Sequence, residues 1–353
     1  MNWDDWRLRI NELDNQILQL LTKRAEAAFE IGDLKRREHA PVHVPEREAE
    51  ILRRLVAANP GPLPEAAILA VWREILSGCR ALEATLTVAY LGPQATFTHQ
   101  AARERFGGAT AYRPARSIAE VFDEVERGLA ELGVVPVENS TEGAVNLTLD
   151  RLITSDAVIS GELRLDIAQQ LLSRAADLGA VERVLSHPQA LAQCRGWLAT
   201  HLADVPTEEV SSTAAAAELA AADATVAAIA SALAGELYGV PVLRARVEDN
   251  PHNSTRFLVI GRRPVGPTGR DKTSILFAMR NEPGSLHRIL EPLARAKINL
   301  TKIESRPARQ GPWEYVIFVD LEGHRDTDEV APVLAEIGER TLFLKVRGSY
   351  PAA

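Results

Sequence analysis

The chain has 353 residues, 46% hydrophobic and 25% charged, which is enough for two or three separate cores, so more than one domain is expected. A net charge of -8 argues against a nucleic-acid or anionic-membrane surface, because both need clustered Lys and Arg, so an anionic ligand has to be met by local positive groups. Cys79 and Cys194 have no CxxC spacing, the eight histidines have no HxxxH or HExxH spacing, and neither a basic leader nor an apolar run of about 18 residues occurs; a disulfide framework, a metal or other cofactor and a membrane span are therefore not expected, and the cytoplasm is the expected location.

Residues 1–85 read as all helical. The first helix runs from Trp3 to about Glu38, the second opens at Pro45 and stops at Asn59-Pro60, and the third begins at Pro64, because proline suits a first helical turn and breaks an interior. Residues 86–262 alternate short apolar strands (Leu86 to Leu91, Leu132 to Val137, Arg183 to Ser186, Val226 to Ala230) with helical stretches, which predicts α/β layering. Ala214 to Gly235 is Ala-rich but is interrupted by Glu218 and Asp223. After a linker rich in Arg, Pro and Gly, residues 272–349 spell strand, helix, strand, strand, helix, strand, the order of a ferredoxin-like α+β module.

The first helix carries an unbroken 3,4 heptad seam, occupied by Arg7, Ile10, Asp14, Ile17, Leu21, Arg24, Ala28, Ile31 and Lys35. Such a seam faces a partner helix, and an ordinary bundle does not place cations where Leu or Ile belongs. Buried cations need anions, and Asp14 is one structural partner for Arg7. Several cations on one seam point instead to an anionic ligand. Lys35 stands 28 residues from Arg7, about 42 Å along a helix at 1.5 Å per residue. One small molecule cannot touch both within one chain, so Arg7 is expected in the site of a second copy, within an antiparallel homodimer.

The pattern from Ile10 to Arg24, followed by Lys35 and Pro45-Glu46-Arg47-Glu48, resembles the all-helical class of chorismate mutase, a three-helix fold that makes an intertwined dimer. The resemblance implies a Claisen rearrangement of chorismate to prephenate, which needs positioning and charge stabilisation rather than a nucleophile or cofactor. By position it assigns Arg7 of a second copy, Arg24 and Arg47 to the substrate carboxylates, Lys35 and Glu83 to the ether oxygen, and Glu48 to the substrate hydroxyl. Burial raises a carboxyl pKa, so mutase turnover is expected to fall as pH rises, and Glu83→Gln to flatten that profile.

In the middle segment, five polar clusters sit where strands end: Gly92 to Phe97, Glu138 to Gly143, Ser186 to Gln189 with Gln193-Cys194, Ser211 to Thr213, and Asn253 to Phe257. Taken singly, Thr96, Ser212 and Thr213 read as helix caps. In this order the five resemble prephenate dehydratase, whose two α/β lobes close like a periplasmic-type binding protein. The resemblance implies conversion of prephenate to phenylpyruvate, with Thr255 assisting the leaving hydroxyl. It places Glu138, Asn139, Ser186 and Gln193 in the pocket and lets Thr96, Ser212 and Thr213 position the dianion. Arg256 either pairs with a substrate carboxylate or braces the loop. Ala95 stands where that family usually has glycine, and a positive φ there would carry strain.

The last segment resembles an ACT domain of the phenylalanine-responsive kind, through Pro283-Gly284-Ser285-Leu286 and Ile298 to Pro307. The resemblance implies L-phenylalanine bound between two such domains by Gly284, Ser285, Leu286, Asn299, Leu300, Glu304, Ser305 and Arg306, and feedback inhibition of the phenylalanine route. Truncation after about Gly261 is expected to give an active, insensitive enzyme if the fold survives. The alternative is a metabolite sensor with a non-catalytic helical dimerisation arm. Against it stand the cations of the helical seam and the Thr255-Arg256-Phe257 cluster, which a sensor does not need.

Overall fold

Asn2 and Asp5 start the first helix by exchanging side chain-to-backbone hydrogen bonds of 2.9 Å in both directions, a reciprocal cap. Helix α1 (Trp3–Glu38) then runs 36 residues until His39 takes a left-handed conformation. Helices α2 (Pro45–Ala57) and α3 (Glu65–Glu83) follow. The crossing of α1 and α3 depends on Gly32, where an added Cβ would lie 2.8 Å from the Cα of Glu83. Towards the N-terminus α1 is left uncovered by the described residues: Trp6, Ile10, Leu13, Ile17 and Leu20 are between 41% and 64% exposed.

This computed structural model describes residues 2–307 and 315–353. They fall into two units, residues up to 87 with 105–111, and residues 88–104 with 112–353. After α3 the chain continues through β1 (Thr87–Leu91), α4 (Phe97–Phe106), β2 (Ala111–Ala115), α5 (Ile118–Glu126), β3 (Leu132–Asn139), β4 (Gly143–Ala144), α6 (Asn146–Thr154) and β5 (Val158–Asp166). It then passes to β6 (Gln170–Ser173), β7 (Arg183–Ser186), α7 (Pro188–Gln193), α8 (Arg195–His201), β8 (Thr207–Glu209), α9 (Thr213–Ala222), β9 (Val226–Ala230), α10 (Ala232–Tyr238) and β10 (Val242–Arg244), and returns as β11 (Ser254–Gly261).

Two α/β lobes result. One sheet has the order β2-β1-β3-β11-β5 with β4 beside β3, and the other β10-β6-β9-β7-β8. Strand β11 lies antiparallel between β3 and β5, so the returning chain occupies the middle of the first sheet. The polar ends of these strands line the space between the lobes, where ligand sites of α/β proteins collect.

The remainder is β12 (Asp271–Ala278), α11 (Ser285–Arg295), β13 (Leu300–Pro307), β14 (Tyr315–Glu322), α12 (Ala331–Glu339) and β15 (Phe343–Pro351), a sheet of order β13-β14-β12-β15. Its helix-facing core is its own. Its other face joins the first lobe: Leu276, Val316, Phe318 and Tyr350 form one cluster with Ile159, Leu258 and Ile260. Only glycine serves at 348, where a Cβ would stand 2.1 Å from the Ile159 carbonyl oxygen, and Arg347 donates to the Ser155 carbonyl at 2.8 Å. The segment after the linker therefore shares a core with the part before it.

Candidate active sites

Where α1 and α3 cross, Lys35 Nζ lies 2.6 Å from Glu83 Oε2 and donates to the Val42 carbonyl at 3.0 Å. Both side chains are largely withdrawn from solvent. The Arg24 guanidinium stands 5.7 Å from the ring centre of Trp72 on α3. Arg7 pairs with Asp4 and Arg47 with Glu50 on exposed helix faces, apart from the Lys35–Glu83 pair. Glu48 points inward to Arg80, with Arg105 at 3.8 Å and His43 Nε2 at 3.4 Å. Burial alone would raise its pKa, but His43 beside it and the two guanidinium groups outweigh that and hold the carboxyl well below the usual range. Sequence reasoning did not find Arg80, Arg105 or His43: nothing local marks the two arginines as neighbours of Glu48, and His43, though near it in the chain, belongs to no motif.

Between the two lobes lies a cleft of about 420 Å³, lined by Thr96, Asn139, Gln169, Gln193, Ser212, Thr213 and Thr255 among others. No Lys or Arg lines it among the described residues. Helix starts stand there instead: Ser212 caps α9 by accepting the Ala215 N–H at 3.0 Å, and Thr96 precedes α4 with its hydroxyl bonded to the carbonyls of Leu91 and Pro93 at 3.1 Å each. Unpaired N–H groups and the helix dipole make such ends receptive to anions. Just before α4, Ala95 takes φ = 69°, a left-handed conformation that costs a residue with a Cβ about 1–2 kcal/mol. The buried His99 ring accepts the Ala95 N–H at 3.1 Å and Ser231 Oγ donates to the Ala95 carbonyl at 3.0 Å, so both sides of the strained peptide are held.

The orientation of Asn139 is fixed by its surroundings. Its Oδ1 accepts the N–H groups of Thr141 at 2.9 Å and Glu142 at 3.1 Å, so its Nδ2 must face Asn253 Oδ1 at 3.0 Å and Thr255 Oγ1 at 2.9 Å. Thr255 accepts from Asn139, which leaves its own O–H proton available to a bound molecule. Two expected cleft residues, Glu138 and Ser186, stand elsewhere, as does Arg256, whose role was open. Glu138 and Arg256 precede and follow cleft-facing residues on paired strands, and successive side chains of a strand take opposite faces. Glu138 accordingly meets Lys302 at 2.8 Å, and Arg256 meets Glu162 Oε2 at 2.7 Å, Asp320 Oδ2 at 2.6 Å and the Tyr350 hydroxyl at 3.1 Å. Of the two roles open to Arg256, bracing fits this geometry. Ser186 is fully buried and donates to the Ile229 carbonyl at 2.6 Å.

Comparison with known proteins assigns each segment. The family model for prephenate dehydratase matches residues 88–265, that for type II chorismate mutase residues 6–84, and that for the ACT domain residues 273–339. A bifunctional chorismate mutase/prephenate dehydratase of Aquifex aeolicus is 49% identical over 98% of this chain and 97% of its own length. The chain belongs to this bifunctional family. Its activities are those of a chorismate mutase and a prephenate dehydratase. Among solved structures, a prephenate dehydratase from Arthrobacter aurescens in complex with L-Phe is 35% identical, with a TM-score of 0.69 over 76% of this chain and 90% of that one. A structure described as a novel type of quorum quenching acylase is 32% identical, with a TM-score of 0.70 over 76% of this chain and 98% of that one.

In the ACT domain, Gly284 takes φ = 80° immediately before α11. Ser285 is buried and its Oγ accepts from Arg288 at 3.1 Å, while Leu286 and Leu300 pack on the domain core. Strand β13 is an edge of the sheet. Along it, Lys302, Glu304 and Arg306 are half-buried and Ser305 is exposed. Arg306 is spent on Asp150 of the dehydratase lobe, at 2.9 Å, and Asn299 donates to Glu322 at 3.2 Å. A separate cavity of about 490 Å³ near Arg280, Arg288 and Arg340 includes Ser285 alone of the expected effector residues. That cavity, among the described residues, does not gather the rest of the set.

Proposed function

We propose that the cleft between the lobes is the dehydratase site and that Thr255 delivers a proton to the departing ring hydroxyl. The observation that carries this reading is the fixed Asn139 amide, which makes Thr255 an acceptor towards Asn139 and a donor towards the cleft. In the reaction the ring C–O bond breaks with its electron pair on oxygen. The bond to the ring carboxylate breaks as well, carbon dioxide leaves, and that pair completes the aromatic ring. The oxygen departs as water with one added proton, passed through the Thr255 network and restored from solvent. Thr96, Ser212, Thr213 and Gln193 position the dianion, with helix N-termini in place of cations.

In the helical domain, Lys35 and Glu83 face the ether oxygen of chorismate, and Arg24, Arg47 and Arg7 of a second copy hold its carboxylates. Arg47 reaches the ligand by leaving the exposed Glu50, and Glu48 receives the substrate hydroxyl by giving up its long contact with Arg105. The uncovered apolar side chains along α1 support an antiparallel homodimer as the working form. L-Phenylalanine, the ligand of the Arthrobacter relative, acts as feedback effector between two ACT domains, with β13 and the turn at Gly284 contributing from each. The enzyme serves phenylalanine biosynthesis in the cytoplasm; no helix among the described residues is long and apolar enough to cross a membrane. Thr255→Ala tests the cleft: dehydratase turnover should vanish and mutase turnover in the same preparation should persist. Full dehydratase turnover in that variant would overturn the assignment.

A further inference from the structure

Gln169 stands where the chain crosses from one lobe to the other, two residues after Ile167, whose N–H bonds to the Asn253 carbonyl at 2.9 Å. It is only 2% exposed. Its backbone N–H is held by Glu248 Oε2 at 2.8 Å, and its Nε2 donates to Gln193 Oε1 at 3.1 Å. Its amide oxygen, by contrast, is buried with no hydrogen-bond partner among the described residues, although the residue lines the cleft. Leaving a buried acceptor unsatisfied costs about 1–3 kcal/mol. Such a group at the wall of a ligand cleft calls for a donor that arrives with the ligand.

Prephenate offers few donors. Its two carboxylates are ionised at neutral pH and its ketone has no proton, so the ring hydroxyl is its one O–H. We infer that Gln169 Oε1 accepts the hydrogen bond of that hydroxyl and is a specificity-determining residue of the dehydratase, on the reading that the cleft is the dehydratase site. With its own hydrogen directed at Gln169, the hydroxyl turns its lone pairs to the rest of the cleft, where the Thr255 proton is free to meet them. The oxygen keeps the hydrogen held by Gln169, takes one more from the Thr255 side, and leaves as water. Gln193 Oε1 accepts from the Gln169 amide, which leaves Gln169 Oε1 turned away from it, and Glu248 holds the backbone.

The test uses the full chain carrying Gln169→Met, with two ring-saturated prephenate analogues that cannot aromatise, one with the ring hydroxyl and one without. Wild type should bind the hydroxylated analogue about fivefold to tenfold tighter, the worth of one neutral hydrogen bond. Gln169→Met should bind both alike and lose about tenfold in dehydratase kcat/KM. Unchanged affinity for the deoxy analogue shows that the variant is folded, and Gln169→Leu takes its place if that affinity is lost. A variant that keeps the hydroxyl preference, or keeps kcat/KM within twofold of wild type, overturns the inference. Thr255→Ala run alongside separates the two failures: an active Thr255→Ala brings down the cleft assignment, whereas an inactive one beside an unaffected Gln169→Met brings down the role of Gln169 alone.

Discussion

His99 should make the dehydratase half of the protein sensitive to acid in a way one substitution removes. Its ring is stacked on Tyr90 at 4.5 Å between centroids, meets Tyr112 edge-on at 5.4 Å, and is 3% exposed. Its Nδ1 accepts the Ala95 N–H, so that nitrogen is unprotonated and the proton of the neutral ring sits on Nε2. Burial, helped by Arg103, lowers the pKa from 6.5 to about 4. The unfolded chain therefore takes up the proton first as pH falls. The stability is fully present above about pH 6.5 and is lost through the window down to about pH 4. That window spans about 2.5 pH units, worth roughly 3 kcal/mol at about 1.4 kcal/mol each. His99→Gln, which can still accept from Ala95 but does not titrate, should close on wild type in stability by that amount between pH 6.5 and 4. Urea unfolding of both proteins, read by dehydratase activity and circular dichroism at each pH, measures the difference, in which every other titrating group cancels. Parallel pH profiles for the two proteins would refute the argument.

The remaining expectations concern the close contacts. Gly32→Ala forces α1 and α3 apart at Glu83, so mutase kcat/KM should fall at least tenfold while dehydratase kinetics stay within twofold, as steady-state assays on one preparation can measure. Arg256→Met leaves Asp320 without its cation in a buried layer, while Glu162 keeps Lys272 at 2.7 Å; breaking a buried pair costs about 3–5 kcal/mol, and a thermal shift of the dehydratase–ACT unit amounting to less than 1 kcal/mol would count against the bracing role. Removing everything after Gly261 uncovers Ile159, Leu258 and Ile260, so the truncated chain should aggregate or bind a hydrophobic dye in place of giving the active, insensitive enzyme the sequence suggests.

Period and punctuation made much of this fold legible. The long helix ends where glutamate and histidine precede Ala40-Pro41, and the strands at Arg183–Ser186 and Val226–Ala230 stand as apolar runs between turns. The polar clusters at strand ends were visible too, and the structure lines the cleft with Thr96, Asn139, Gln193, Ser212, Thr213 and Thr255. Reading each cluster as a unit ignored the alternation of a strand: Glu138 cannot face the cavity that Asn139 faces, nor Arg256 that of Thr255. For Arg256 that signal was present in the sequence, whereas at Glu138 a register shift lets Pro136 and Asn139 share the cleft face. Other features had no local trace. The Lys35–Glu83 contact joins residues 48 apart, the ring of polar and charged groups about Glu48 draws on three separate segments, and nothing local sets Gln169 apart from Gln170, which begins the next strand.

The alternation also says what the ACT domain is packed against. Strand β11 gives one face to the cleft, through Thr255, and the other to the ACT sheet, through Arg256. A single peptide bond thus separates the proposed proton donor from the guanidinium that Asp320 and Tyr350 hold. Interfaces between packed layers have discrete arrangements, so a shift of β14 that releases Asp320 removes a contact made one residue from Thr255. An effector that prefers one arrangement of the ACT sheet needs no pathway of distant residues to reach the dehydratase, since the two faces of one strand already connect them.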